Sequence, residues 1–225
     1  MATSASGTSA RSGLRRLTAT AIVVTGLVAG CTNDKPSVPS LTAQRRAATA
    51  FLAAWRRSLE GTWAIDAVFE RRIGTKRVTY DVHEARRPPD HLRVAGGTVE
   101  GSVNGRVVAC TTGADGALTC RDGGPASPYP DEVRKELDLL SGYFFAANPL
   151  YRAEAAGTGC FHLVLRHTIL APPYGQTARF CFDAETGAPS LSEVHKRGSV
   201  DVTHTTAVRA EPTAADLTPP AAPGA

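Results

Sequence analysis

The chain lacks an apolar run of the ~20 residues that a membrane-spanning helix needs. Its longest, Leu17 to Gly30, has 14 residues and is interrupted by Thr18, Thr20 and Thr25, so a retained span is not expected. The patterns that announce catalysis are missing too. There is no His-Glu-x-x-His, no Gly-x-Ser-x-Gly, no phosphate-binding glycine loop and no calcium loop, each of which needs its residue types at fixed spacing. Nor is there a Cys-x-x-Cys, which argues against a zinc site. The histidines, His83, His91, His162, His167, His195 and His204, are scattered. His162 and His167 stand five apart in a predicted strand, on opposite faces, a spacing that suits no common metal site. Asp131-Glu132 reads as a helix start, where the dipole favours acids, rather than as a catalytic pair. No enzymatic activity, metal or cofactor is expected, and no internal repeat is visible.

The N-terminal segment is laid out as a secretory signal. Arg11, Arg15 and Arg16 lead into the apolar run, and no acid occurs before Asp34. Where an Ala-x-Ala cleavage site would stand, the run closes on Leu27-Val28-Ala29-Gly30-Cys31. That ending resembles the lipobox of bacterial lipoproteins. The resemblance implies cutting before Cys31, then a diacylglycerol thioether on Cys31 and often an N-acyl chain such as palmitate. The mature protein would then be anchored at the extracytoplasmic face of the cell membrane. Leu14 before the Arg15-Arg16 pair and Thr18 after Leu17 favour ordinary secretion over twin-arginine export.

Removing residues 1–30 leaves 195 residues, enough for one domain with a real core. The cut takes three of the 25 basic residues and none of the 21 acidic ones, so the net charge falls from +4 to +1. A nearly neutral chain argues against a nucleic-acid partner.

With Cys31 lipidated, Cys110, Cys120, Cys160 and Cys181 remain, an even number in an oxidising compartment. Cys110 and Cys120 flank the turn Gly113-Ala114-Asp115-Gly116, so a hairpin about Asp115 sets their sulfurs side by side. Cys160 and Cys181 flank the loop at Ala171-Pro172-Pro173. Setting them opposite each other also sets Phe161 opposite Phe180 and Leu163 opposite Ala178, on one face. Two disulfides, Cys110 with Cys120 and Cys160 with Cys181, are expected.

From Cys31 to Ser40 the chain reads as a tether with Pro36 and Pro39. Ser40 is a plausible N-cap for a helix with its stripe at Ala48, Phe51, Leu52, Trp55 and Leu59, stopped by Gly61. From Thr62 the period becomes two. Trp63, Ile65, Ala67 and Phe69 share one face, and after the turn at Gly74 so do Val78, Tyr80 and Val82. Arg87-Pro88-Pro89-Asp90 interrupts the ladder, Leu92 and Val94 resume it, and Asn104-Gly105 marks a hairpin. A second helix carries Val133, Leu137, Leu140 and Phe144 and stops at Asn148-Pro149. Five further strands follow, up to Arg209, and residues 211–225, rich in Ala, Thr and Pro, are expected to be disordered.

This order of elements resembles the LolA/LolB fold and its lipoprotein relatives LppX and LprG, over residues 41–210. Arg87-Pro88-Pro89-Asp90, Pro173-Tyr174-Gly175 and Cys181-Phe182-Asp183 with Thr186-Gly187 also resemble uncharacterised lipoproteins of high-GC Gram-positive bacteria (actinobacteria). The resemblance implies an α+β fold: a curved, unclosed antiparallel half-barrel with about two helices on its concave side, around a greasy cavity. Strand alternation gives the candidate lining as Trp63, Phe69, Tyr80, Val82, Leu92, Phe161, Leu163 and Phe180. Two functions remain open. One is an anchored envelope lipoprotein that carries a lipid or acyl ligand in that cavity. The other is a structural, sensing or interaction lipoprotein whose core is filled.

Overall fold

The computed structural model describes residues 38–220. The expected signal, Cys31, most of the tether and residues 221–225 lie outside the described residues.

The first helix, α1, spans Leu41–Glu60. The Ser40 hydroxyl accepts from the Ala43 N–H at 3.2 Å, answering one of the donors a helix start leaves open. Six strands follow: β1 Trp63–Ile73, β2 Lys76–Arg87, β3 Asp90–Ala95, β4 Thr98–Val103, β5 Arg106–Thr112 and β6 Leu118–Pro125. Then come α2 at Tyr129–Phe145 and five more strands, β7 Tyr151–Ala155, β8 Cys160–Leu165, β9 Thr177–Phe182, β10 Pro189–Lys196 and β11 Ser199–Arg209. Pro130 at the start of α2 and the acids Asp131 and Glu132 in its first turn suit a helix N-terminus.

All eleven strands belong to one antiparallel sheet in the order β6-β5-β4-β3-β2-β1-β11-β10-β9-β8-β7. Each run of strands is a meander, and the pairing of β1 with β11 joins the two. The edges β6 and β7 do not meet, so the sheet is an unclosed half-barrel carrying both helices, the expected α+β fold. A sheet of this many strands curls rather than staying flat.

One face of the sheet carries the helices. The Phe51 side chain of α1 is 0% exposed and sits among the rings of Phe144, Phe161 and Phe180 at 5.5 to 5.8 Å. Trp63, also 0% exposed, donates its indole N–H to the Ser58 carbonyl at 2.9 Å and so ties β1 to the end of α1.

The opposite face brings two corrections. Leu92 does not share a face with Trp63 and Val82. It pairs with Ala85, which pairs with Ala64, and these pack with Val99, Cys110 and Leu217 on the far side. The residue of β3 that faces inward beside Val82 is Ala95. The interruption at Arg87–Asp90 hides this parity, and a one-residue error transfers a whole strand to the other face.

The tail is the second correction. Up to residue 220 it is ordered, with a 3₁₀ turn at Ala215–Leu217. Asp216 accepts from the Thr213 N–H at 2.7 Å and hydroxyl at 2.9 Å and pairs with Arg209 at 3.1 Å, while the Arg87 guanidinium donates to the Pro212 carbonyl. The two corrections meet in one cluster. The far face is apolar around Leu92, and burying the Leu217 side chain there contributes roughly 2 kcal/mol towards ordering the tail.

Candidate functional site

The disulfides frame the sheet. Cys110 and Cys120 are directly paired across β5 and β6 with S–S 2.16 Å, and Cys160 and Cys181 across β8 and β9 with S–S 2.09 Å. In the second hairpin Phe161 stands opposite Phe180 and Leu163 opposite Ala178. Phe161, Leu163 and Phe180 belong to the cluster around Phe51; Phe161 and Leu163 are part of that core, and Phe180 also borders the hollow described next. Trp63 and Val82 pack in a second cluster with Phe69 and Tyr80 against it, and the last two rings stack at 4.6 Å. Of the eight lining candidates, the structure brings three together around Phe51 and four in a separate group, with Phe180 of the first and Val82 of the second bordering a hollow, and turns Leu92 away.

Between these clusters lies a hollow of about 300 Å³ under the last turns of α1. Trp55 and Leu59 form its roof, Ile65, Val82, Ser192, Thr203 and Thr205 line its floor, and Phe180 and Phe182 close the aromatic side. The Trp55 indole donates to Glu136 of α2 at 2.7 Å, which holds the roof in place. The size is at the low end of the roughly 300–1,000 Å³ of ligand pockets. A water's share of liquid volume is roughly 30 Å³; a methylene is of similar size, so on the order of ten would fit.

The far end of the hollow is charged. Along β2 the inward positions run Tyr80, Val82, Glu84, Arg86, so the same period that gives an apolar wall ends in an ion pair. Glu84 is 3.8 Å from Arg86 and 3.7 Å from Arg93, and Arg93 pairs in turn with Glu100 at 3.1 Å. Burial pushes the Glu84 carboxyl up from its ordinary range, against the downward pull of the two arginines. Arg86 lies over the Trp63 ring at 5.6 Å and donates to the Tyr129 hydroxyl at 2.9 Å; that hydroxyl donates to the Leu59 carbonyl. The relay fixes the guanidinium between the two helices.

Two donor or acceptor atoms here have no partner. Arg86 Nε and His91 Nδ1 are both buried without a hydrogen bond. Burial, and then the neighbouring Arg86 charge, lower the His91 pKa, so its ring is neutral at pH 7. Leaving such an atom unsatisfied costs about 1–3 kcal/mol. A second space of about 480 Å³ continues beyond, sharing Glu84, Arg86 and Arg93 and adding His91, Val107 and Glu132. Together the two make one trough, apolar at the aromatic end and charged at the other.

Sequence reasoning missed Glu84, Arg86, His91 and Arg93. The signal was present, since Glu84 and Arg86 continue the alternation of Tyr80 and Val82. Among the described residues no group of three or more His, Cys, Asp or Glu side chains could hold a metal, and no helix is long and apolar enough to cross a membrane.

No protein-family model and no curated protein matches the chain. Solved structures are similar in backbone. MucB in the MucA/MucB complex of Pseudomonas aeruginosa is 12% identical, over 77% of this chain and 61% of that one, with a TM-score of 0.43. This chain therefore spans about three fifths of that protein. The Mycobacterium tuberculosis lipoprotein LppX is 12% identical over 73% of this chain and 97% of that one, TM-score 0.36. A LolA superfamily protein from Nitrosomonas europaea is 6% identical over 77% and 98%, TM-score 0.32.

Proposed function

We propose that this is a cell-envelope lipoprotein whose trough binds a small amphiphile, the apolar part under Trp55 and the polar head among Arg86, Arg93 and Glu84. In this reading residues 1–30 are a removed signal, Cys31 is the acylated anchor, and the short tether to Ser40 holds the half-barrel at the extracytoplasmic face of the cell membrane. The observation that carries it is the hollow itself, walled by Trp55, Leu59, Ile65, Val82 and Phe180 and bordered at one end by the Arg86 and Arg93 guanidiniums. Each buried methylene contributes roughly 0.8 kcal/mol, so a chain on the order of ten carbons fills the space and binds without further polar contacts. A membrane lipid with longer tails would leave part of them outside, in the charged half.

Anilinonaphthalene sulfonate, one apolar body with one anionic head, tests this. Titrated into the mature chain, it is expected to give saturable fluorescence that decanoate competes away. Val82→Trp, which fills the floor, should weaken binding about tenfold by excluding roughly two methylenes' worth of contact. A signal that does not saturate, or that ignores Val82→Trp, refutes the proposal.

The packed aromatic half favours a second reading, an interaction or scaffolding lipoprotein. It predicts a protein captured by crosslinking in membranes and no ligand in the trough.

A further inference from the structure

We infer that the end of the half-barrel bearing the β1–β2 turn, the β8–β9 loop and the β10–β11 turn is a docking surface for an anionic lipid bilayer. The inference goes beyond the anchor proposed at Cys31 and rests on it only for which bilayer is met.

The register places these segments together. Arg72 pairs with Val200, Lys196 with Ser199 and His195 with Thr177, so three connections emerge at one end of the sheet. The start of α1 is at the same end, because Arg166, just past β8, donates to Gln44 in the second turn of α1. Exposed large apolar side chains gather there: Leu170 at 102%, Leu41 at 71%, Val38 at 66%, Ile73 at 50% and Ile169 at 41%. Leu139 and Val208 are exposed elsewhere, but singly, which is ordinary; five gathered at one end are not.

The loop that carries Ile169 and Leu170 is held rather than loose. The Tyr151 hydroxyl donates to the Gly175 carbonyl at 3.0 Å and accepts from the Tyr174 N–H at 3.0 Å. Gly175 has φ of 63°, and a Cβ there would strike the His195 carbonyl. The C-terminal end of that loop is therefore fixed against β7 and β10, four residues from the exposed Leu170.

Charge names the partner. Lys196 and Arg197 border the same surface hollow as Ile169 and Leu170, and Arg45 and Arg166 border the next one with Leu41. The acids nearby are already neutralised: Asp201 binds Arg71 at 2.7 Å and Lys196 at 2.8 Å, and Glu70 binds Arg72 at 3.0 Å and Arg77 at 3.3 Å. Among the described residues, Arg45, Lys76 and Arg197 have no carboxylate within ion-pair distance. Apolar tips ringed by unmatched cations fit headgroups that are anionic outside and greasy beneath. Chain length agrees: the seven residues from Cys31 to Val38 reach at most ~25 Å fully extended.

Leu170→Trp, made in the full chain, tests this against phosphatidylglycerol vesicles containing lipid brominated in its acyl chains. Trp63 is buried and Trp55 half-buried, so the unsubstituted chain gives the baseline. The introduced indole is expected to be quenched. In the Cys31→Ala form, Lys76→Gln with Arg197→Gln should lower vesicle partition roughly 25-fold, about fivefold per basic residue. A chain that sediments with vesicles while the introduced indole stays unquenched overturns the docking surface and leaves the anchor standing. Quenching that persists in the Cys31→Ala form upholds the surface independently of the anchor.

Discussion

The two halves of the helix-bearing face obey the same alternation and end differently. On β7 to β9 most inward side chains meet Phe51 and the helices in one aromatic cluster, with the hollow left at its border beside Phe180 and Phe182. On β2 to β5 the inward positions become Glu84, Arg86, Arg93 and Glu100, and space remains. Both helices pack over β7 rather than spanning the sheet, so the first half is filled by rings and the second keeps space beside its buried charges. Alternation tells which face a residue belongs to; what lies over that face decides whether it is core or site.

The sharpest way to break the comparison is truncation in each half. Phe51→Ala should cost ~3–5 kcal/mol, because its cavity is closed on all sides. Val82→Ala, at the wall of an existing hollow, should cost only about 1.5 kcal/mol. Equal losses by denaturant unfolding would mean that the halves are packed alike.

Disulfides give the next effect. Removing Cys160–Cys181 should cost ~2–4 kcal/mol. Removing Cys110–Cys120 should cost about 0.6 kcal/mol less, because its separation of 10 residues is about half of 21. A larger loss from the Cys110–Cys120 pair would place the more stable half on the charged side.

The smallest effect is a pH dependence. The folded state raises the Glu84 pKa, so the stability linked to its proton is present below the unfolded value and lost as pH rises through the folded one. Glu84→Gln stays neutral and escapes that loss, so its stability relative to the unsubstituted chain should climb as pH rises above the ordinary carboxylate range. A difference independent of pH would show that the arginines fully compensate the buried carboxylate.

Much of this architecture was legible. Ser40 as cap, the stripe Val133, Leu137, Leu140 and Phe144, and the pairing of Phe161 with Phe180 all follow from local periodicity, and each is in place. Leu92 failed because its face depends on counting through Arg87–Asp90, and the tail because its order comes from a partner surface distant in sequence. The charged end of the trough was written in β2 at Glu84 and Arg86. Only the position of α2 shows that those side chains face a hollow and not open solvent.

Native mass spectrometry of the mature chain isolated from a lipid-containing host tests the central claim most directly. The expected spectrum shows a non-covalent small amphiphile that leaves on collisional activation and is absent from Val82→Trp. A bare mass in the unsubstituted chain, or an adduct that persists when the hollow is filled, would contradict it.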